Sequence, residues 1–294
     1  MEKQQPAIIP VVNVDCRTGA IVAETLTRTV GIQKAMMIDA KIIILGILAG
    51  AYIGFGGCIS TLGGHDVAKY LGLGLARFIT GALFSVGLML VVICGAELFT
   101  GNTLMLMSVA DKKLRFEKML YKWMIVYIAN FIGAMLLAAL YYKTNLWKMG
   151  DMAVGLSAVK IANTKVGLTF TECLTRGILC NWLVCLAIWM ALASRQVIGK
   201  IFAIFFPIMT FAALGFEHSI ANMYFIPLGI FLKGSALVTD GLDLVKLTWK
   251  GFFVNNLIPV TIGNIIGGAI FVGLFYWTTY VKDTEKKENK TFPK

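Results

Sequence analysis

The chain has 294 residues, of which 58% are hydrophobic and only 15% are charged. Its mean hydropathy is +0.77, whereas soluble domains are nearer half apolar and a quarter charged. This composition excludes a soluble enzyme, a disordered tail and a nucleic-acid-binding protein, even though the net charge is +11. It indicates an all-α protein that crosses a membrane several times.

Residues 1–37 precede the first apolar segment and are predicted to be a cytoplasmic region with an amphipathic helix. Within 15–37, the apolar residues Ala23, Leu26 and Val30 share one helical face, and charged residues lie on the other. Two interpretations stay open for this helix. It lies on the membrane surface, or it covers the mouth of a pore.

Six later segments are apolar for the length of about 20 residues that a membrane-spanning helix needs. They are predicted at 38–63, 76–103, 118–142, 169–193, 199–231 and 253–281. Together they form a transmembrane domain at 38–281, and a charged cytoplasmic tail follows at 282–294.

The positive charges predict the orientation of these segments. With six spans, both termini lie on one side, and that side carries 17 Lys and Arg against 9 on the other. Cytoplasmic loops carry the excess of positive charge. We therefore predict a multi-pass protein of the inner (plasma) membrane with both termini in the cytoplasm, whose loop charges meet anionic lipid head groups.

The first three spans resemble the last three. The sequence IANFIGAMLL at 128–137 matches IGNIIGGAIF at 262–271, and GILAG at 46–50 matches GILCN at 177–181, with offsets of 134 and 131 residues. Because three is an odd number of spans, the second copy enters the membrane from the opposite side. This is an inverted repeat, an architecture typical of transporters and channels.

The second and fifth spans each contain a polar cluster within an apolar run. GAELFTGNT at 95–103 holds Glu97, and GFEHSIANM at 215–223 holds Glu217. A charged side chain at mid-helix costs about 2.5–3.5 kcal/mol even on mild insertion scales. One such cluster is compatible with polar contacts that hold two helices together. Paired interrupted segments in corresponding halves, however, indicate a transport pathway.

Histidines and cysteines are too few or too scattered for a metal or redox centre. The chain has only two histidines, His65 and His218, and none of its six cysteines forms a CxxC pair. A membrane subunit that binds two haems through paired histidines needs four. We therefore predict no metal, no cofactor and no enzymatic activity, and we disfavour a membrane anchor of an oxidoreductase. A water channel is also disfavoured, because no paired Asn-Pro-Ala motif is present.

Four motifs together resemble the formate/nitrite transporter family, and most closely its bacterial formate-channel branch. They are LFTGNT in the second span, TKVGLTFTE before the fourth, GFEHSIANMYFIPLGI in the fifth and NNLIPVTIGNIIGG in the sixth. The resemblance extends over about residues 17–281. It implies an aquaporin-like protomer in which helices 2 and 5 are broken, and a homopentamer with one pore through each protomer. It also implies the passage of formate, with nitrite, hydrosulfide, acetate or lactate as alternative substrates and with channel and proton symporter both open.

The same resemblance implies the residues of the pore. They are a central histidine, its helper asparagine, a threonine of the second-helix loop and a lysine that draws anions toward the outer vestibule, namely His218, Asn222, Thr100 and Lys165. We add Glu217, which flanks His218, to this set of predicted pore and substrate-binding residues. The implied apolar constrictions are Phe84, Leu88, Leu98, Val184 and Phe211. An incoming carboxylate would favour a protonated His218, and the proton could pass to the anion or stay and neutralise it. We therefore expect passage that depends on pH.

The sequence departs from the pattern of the bacterial formate channels in three places. Gly101 and Asn102 follow Thr100 where many of those channels have Ser-Thr, and Gly167 and Leu168 stand where histidines are often found. Arg176 lies in the fourth span, where an apolar residue is usual. Two roles stay open for Arg176: it faces the protomer interface, or it adds to the positive potential.

Overall fold

The computed structural model describes residues 16–235 and 241–282, and all regular structure within these ranges is helical. We number ten helices in chain order. Helix α1 runs over Gly19–Thr25, a π-helical turn at Leu26–Val30 and Gly31–Met36. The others are α2 Asp39–Gly64, α3 Val67–Ile93, α4 over 99–110, α5 Phe116–Lys143, α6 Ala153–Gly167, α7 Phe170–Ala193, α8 Val197–Leu214, α9 Ser219–Leu232 and α10 Gly251–Tyr280.

Six of these helices are long and apolar enough to cross a membrane: α2, α3, α5, α7, α8 and α10. The predicted number of spans is therefore confirmed. The second span begins at Val67, before the predicted residue 76, and it bends at Gly72, whose φ is 78°. Most of the predicted tail at 282–294 lies outside the described residues.

The second and fifth predicted spans are broken helices, as the resemblance implied. Helix α3 ends at Ile93 and α4 starts at Phe99, while α8 ends at Leu214 and α9 starts at Ser219. Each break opens on a glycine in the left-handed region, Gly95 with φ 76° and Gly215 with φ 78°. That conformation is costly for any residue with a Cβ, so the two glycines allow the chain to leave the helix at matching points.

The inverted repeat is visible in the packing of the flanking helices. Helix α2 packs along α5, and α7 packs along α10. A Cβ at Gly133 of α5 would collide with the carbonyl oxygen of Ile47, and a Cβ at Gly267 of α10 would collide with that of Ile178. The same small residue thus allows the same close approach of two backbones in both halves, as is typical of helices that pack in lipid.

Helix α6, at Ala153–Gly167, was not predicted, because we interpreted the residues before the fourth span as a loop. At the other end of the fold, α1 docks onto α4 and the turn after it. The Ser108 hydroxyl donates to the carbonyl of Thr27 at 2.5 Å, and Arg28 lies 3.3 Å from Asp111. Both α1 and α6 carry a lysine toward a broken helix.

Candidate functional site

The break between α8 and α9 holds a buried ion pair, which we call the Lys165 site. Lys165 Nζ donates to Glu217 Oε1 at 2.8 Å, and Glu217 is only 3% exposed. Its other oxygen accepts from Asn222 Nδ2 at 2.7 Å and from Asn256 Nδ2 at 3.1 Å. A buried carboxylate is stable only when it is paired and hydrogen-bonded, and these contacts satisfy both oxygens.

The break between α3 and α4 holds the same arrangement, which we call the Lys34 site. Lys34 Nζ lies 2.5 Å from Glu97 Oε2, and Asn102 Nδ2 donates to that oxygen at 3.0 Å. Lys34 was not predicted as a site residue from the sequence. The signal was present, however, because the offset of 131 residues that aligns Gly46 with Gly177 also aligns Lys34 with Lys165.

Two asparagines bind the backbone that the breaks leave unpaired. Asn264 Oδ1 accepts from the backbone N–H of Ser219 at 2.9 Å, and its Nδ2 donates to the carbonyls of Gly177 at 2.8 Å and Glu217 at 2.9 Å. Asn130 makes the equivalent three bonds at the other break, to the backbone of Phe99, Gly46 and Glu97. Irregular backbone at membrane depth needs such internal partners. From the sequence, Asn130 and Asn264 were identified only as matching positions of the repeat.

The imidazole of His218 is held by one bond on each nitrogen. The backbone N–H of Ala221 donates to Nδ1 at 3.1 Å, which caps the N-terminus of α9. Nε2 lies 3.0 Å from the Thr100 hydroxyl of the other broken helix. Since Nδ1 accepts, the neutral ring carries its proton on Nε2 and donates it to Thr100. The hydroxyl hydrogen of Thr100 can then point to a substrate.

Asn222 and Thr100 are both near His218 along the pathway, but they have different partners. The Asn222 amide donates to Glu217 at 2.7 Å and to Asn256 at 2.7 Å, so it orients the carboxylate and not the imidazole. The carbonyl of Thr100 accepts from the Thr103 hydroxyl at 2.6 Å and from Asn181 Nδ2 at 3.2 Å. These contacts fix the turn that presents Thr100 to the ring.

The apolar residues expected at constrictions lie on both sides of this pair. Phe84 and Phe211 contact each other edge to face with ring centroids 5.7 Å apart. They line a small pocket together with Leu88, Val184 and His218, and this pocket has no room for a water molecule. Leu98 lines a different cavity, on the Lys34 side. An apolar passage of this width excludes hydrated ions.

A cavity leads to each lysine site from opposite ends of the molecule. The cavity at Lys165 has a volume of about 620 Å³ and reaches His218, Phe84 and Phe211. The cavity at Lys34 has a volume of about 200 Å³, and part of its wall is α1, through Leu26, Val30 and Gly31 among others. Helix α1 therefore forms part of the wall of the Lys34 cavity.

The family model described as "Formate/nitrite transporter" matches residues 22–278. The chain belongs to the formate/nitrite transporter family. It is 45% identical over 259 residues to a probable formate transporter of Methanothermobacter thermautotrophicus, which covers 83% of this chain and 90% of the relative. It is 37% identical to the formate channel FocA of Escherichia coli K12, over 87% of this chain and 92% of the relative.

Solved structures support the family assignment and the fold. A structure described as "Pentameric formate channel with formate bound" is 35% identical and has a TM-score of 0.75, over 83% of this chain and 98% of that chain. A structure described as "FNT family ion channel" is 30% identical, with a TM-score of 0.69, over 89% of this chain and 95% of that chain. The family and these neighbours are membrane transporters and channels, so the chain is a multi-pass membrane protein of that class.

Proposed function

We propose that this protein passes formate, as a small monovalent anion or as its weak acid, through a pore in each protomer. One observation carries the proposal. The His218–Thr100 pair joins the two broken helices at 3.0 Å, and His218 lines both a charged cavity and a closed apolar pocket. A solute that follows this path meets a hydrogen-bond donor immediately before it must lose its water.

The apolar pocket explains why the passage of formate should depend on a proton. Moving an isolated carboxylate from water into apolar surroundings costs far more than moving a neutral, hydrogen-bonded acid. His218 can lower that cost by compensating the charge of the anion or by protonating it. Protonation of Nδ1 would place two donors opposite each other at the cap with Ala221 N–H. The ring is therefore charged only while an anion compensates it, which couples the passage of substrate to protons.

The site also limits the size of the substrate. The pocket between Phe84, Leu88, Val184 and Phe211 has no free volume for water, so the side chains must move apart even for formate. Formate and nitrite are smaller than the other two-oxygen candidates, acetate and lactate, so they require less movement of these side chains. Acetate, lactate and hydrosulfide are tested as competitors of formate uptake.

We further propose that the protein lies in the inner (plasma) membrane with both termini in the cytoplasm. The excess of Lys and Arg on the side of the termini supports this orientation. The Lys34 cavity then faces the cytoplasm, and the Lys165 cavity faces outward.

We also propose a homopentamer, with support from the pentameric formate channel that this chain resembles. The expected result is a mass of five chains in native mass spectrometry of the detergent-solubilised protein. A closed ring of like subunits is the usual form of such assemblies. A monomeric mass in several mild detergents would contradict the pentamer and leave the pore within the protomer unaffected.

The test of function is uptake of labelled formate into proteoliposomes as the outside pH is stepped from neutral to acidic. Wild type is compared with His218→Asn, which keeps a good N-cap acceptor but does not titrate, and with His65→Gln. His65 bonds the carbonyl of Leu62 away from the pathway, so this variant should behave as wild type. We expect uptake to rise as pH falls in wild type and to lose that response in His218→Asn.

Two other results would change the proposal. An unaltered pH response in a well-folded His218→Asn protein would disprove the role of the imidazole. If labelled formate does not enter and nitrite, acetate, lactate or hydrosulfide does, the pathway stands and formate is the wrong substrate.

A further inference from the structure

The cavity at Lys165 contains more positive charge than its lysine accounts for. Four basic residues line it, namely Arg77, Lys160, Lys165 and Arg176. Lys165 itself is already paired with Glu217 at 2.8 Å, so the two charges largely cancel at a distance. The net positive charge of this cavity therefore comes chiefly from Arg77 and Lys160, with a contribution from Arg176 that its neighbour Glu172 reduces.

The backbone of Arg176 is hydrogen-bonded to the break between α8 and α9. The backbone N–H of Glu217 donates to the carbonyl of Arg176 at 3.3 Å, and in the other half the N–H of Glu97 donates to the carbonyl of Leu45 at 3.1 Å. The two halves thus place an arginine and a leucine at equivalent points. Arg176 also contacts Glu172 at 3.3 Å, but that pair is partly exposed and therefore weak.

Arg77 reaches the same break from helix α3. Its Nη1 atom lies 3.6 Å from the position that a Cβ on Gly215 would occupy. Among the described residues it has no acidic partner within ion-pair distance, and the same holds for Lys160. The repeat offset of 120 residues, which relates Gly95 to Gly215, relates Arg77 to Val197. The Lys34 cavity therefore has no counterpart of this arginine.

We propose that Arg77 and Arg176, assisted by Lys160, form an anion-capture subsite outside His218 that binds a small two-oxygen anion before it enters the apolar passage. This inference rests on the proposed function and adds a loading step to it. A guanidinium presents two parallel N–H groups that match a carboxylate or nitrite. Positive charge in a walled cavity also raises the local concentration of anions.

The first test separates capture from passage. Initial rates of labelled formate uptake are measured against formate concentration for wild type and for Arg77→Gln/Arg176→Gln. The concentration at half-maximal rate is expected to rise about three- to tenfold, whereas the maximal rate changes little, because His218 and Thr100 are untouched. The matched control is Lys69→Gln, which removes an exposed positive charge from the same end of the molecule outside the cavity.

A charge-conserving variant tests the guanidinium geometry. Lysines at both positions, in Arg77→Lys/Arg176→Lys, keep the potential and lose the bidentate fork. Partial recovery of the half-maximal concentration supports the subsite. Complete recovery would show a long-range potential only and would overturn the proposed binding of the anion by the arginines.

A second measurement does not require transport. Ser157 lines the same cavity, so Ser157→Cys is introduced into a Cys16→Ser/Cys94→Ser background, which removes the two exposed thiols. The ratio of modification rates by an anionic and a cationic methanethiosulfonate is expected to fall about tenfold when both arginines become glutamine. Formate or nitrite should slow the anionic reagent in the parent and not in the double variant.

The two measurements distinguish the possible failures. An unchanged reactivity ratio, or a half-maximal concentration that moves no more than in Lys69→Gln, would overturn the subsite while formate uptake still supports the proposed function. If the ratio falls and anions protect the thiol, but no anion is taken up by wild type, the subsite stands and the proposed function fails.

Discussion

Two glycines determine where the membrane helices break. Gly95 and Gly215 have φ values of 76° and 78°, a region that residues with a Cβ avoid because of a clash with the following carbonyl. Each glycine is followed by a backbone bond back into the helix, from Ala96 to Val91 and from Phe216 to Phe211. The glutamate two residues after each glycine is thereby turned toward its lysine.

Alanine at these glycines should destabilise the protein without a steric clash. No atom lies within 4 Å of a Cβ at Gly95, so the cost of Gly95→Ala is conformational, about 1 kcal/mol. The expected result is a lower midpoint of thermal unfolding in detergent. Gly167→Ala is the control, because a Cβ there is equally free of contacts and the residue is helical. An equal effect of both variants would contradict the argument from φ.

The broken helices are stabilised by side chains from their neighbours. At each break an asparagine on a continuous helix, Asn130 on α5 or Asn264 on α10, makes two bonds to freed backbone groups and a third to a carbonyl of a neighbouring continuous helix. Both asparagines are fully buried. Each buried polar group left without a partner costs about 1–3 kcal/mol, so the breaks depend on these two residues.

Replacement of Asn264 by leucine should therefore strongly destabilise the protein. The variant Asn264→Leu leaves Ser219 N–H and the carbonyl of Glu217 without their partner, and we expect a loss of at least about 2 kcal/mol. Thermal unfolding in detergent measures it. Asn163→Leu, which removes one exposed bond to the carbonyl of Asp243, is the matched control. A loss as small as that of Asn163→Leu would show that water replaces the missing amide.

The sequence was most informative where a residue conflicts with its surroundings. Glu97 and Glu217 lie in apolar runs, and that conflict predicts the breaks and the pathway. Lys34 and Lys165 show no such conflict, since lysine is ordinary on a surface helix. The role of Lys165 came from the resemblance, and Lys34 was missed because its partner Glu97 is 63 residues away. Contacts of that range depend on how α1 packs against α4, which no local pattern records.

Local helix signals were also incomplete. The helix Ala153–Gly167 was not predicted because its 15 residues are too short to span a membrane. Its function depends on its position, because it places Lys165 beside Glu217. The contact of the Asn222 amide with Glu217 was not predicted either, because the break lies between the two residues.

The whole molecule combines a symmetric frame with an asymmetric distribution of charge. The glycines, the glutamates and the backbone-binding asparagines repeat in both halves. Apart from the equivalent Lys34 and Lys165, the basic residues do not repeat, because Arg77, Lys160 and Arg176 line one cavity, whereas Lys200 lines the other. A pathway with an equivalent lysine–glutamate pair near each end can conduct in both directions, and the added charge favours the loading of anions from the Lys165 side.

The direction of that preference in a cell depends on the orientation of the protein, which labelling can test. Single cysteines are placed at two exposed charged positions, Lys69→Cys before α3 bends and Glu117→Cys at the start of α5, again with Cys16 and Cys94 as serine. With both termini in the cytoplasm, a membrane-impermeant maleimide should label Lys69→Cys on intact cells. Glu117→Cys should react only after permeabilisation, because positively charged loops stay inside. The reverse pattern would place the arginine-lined mouth in the cytoplasm, where it would load anions for export.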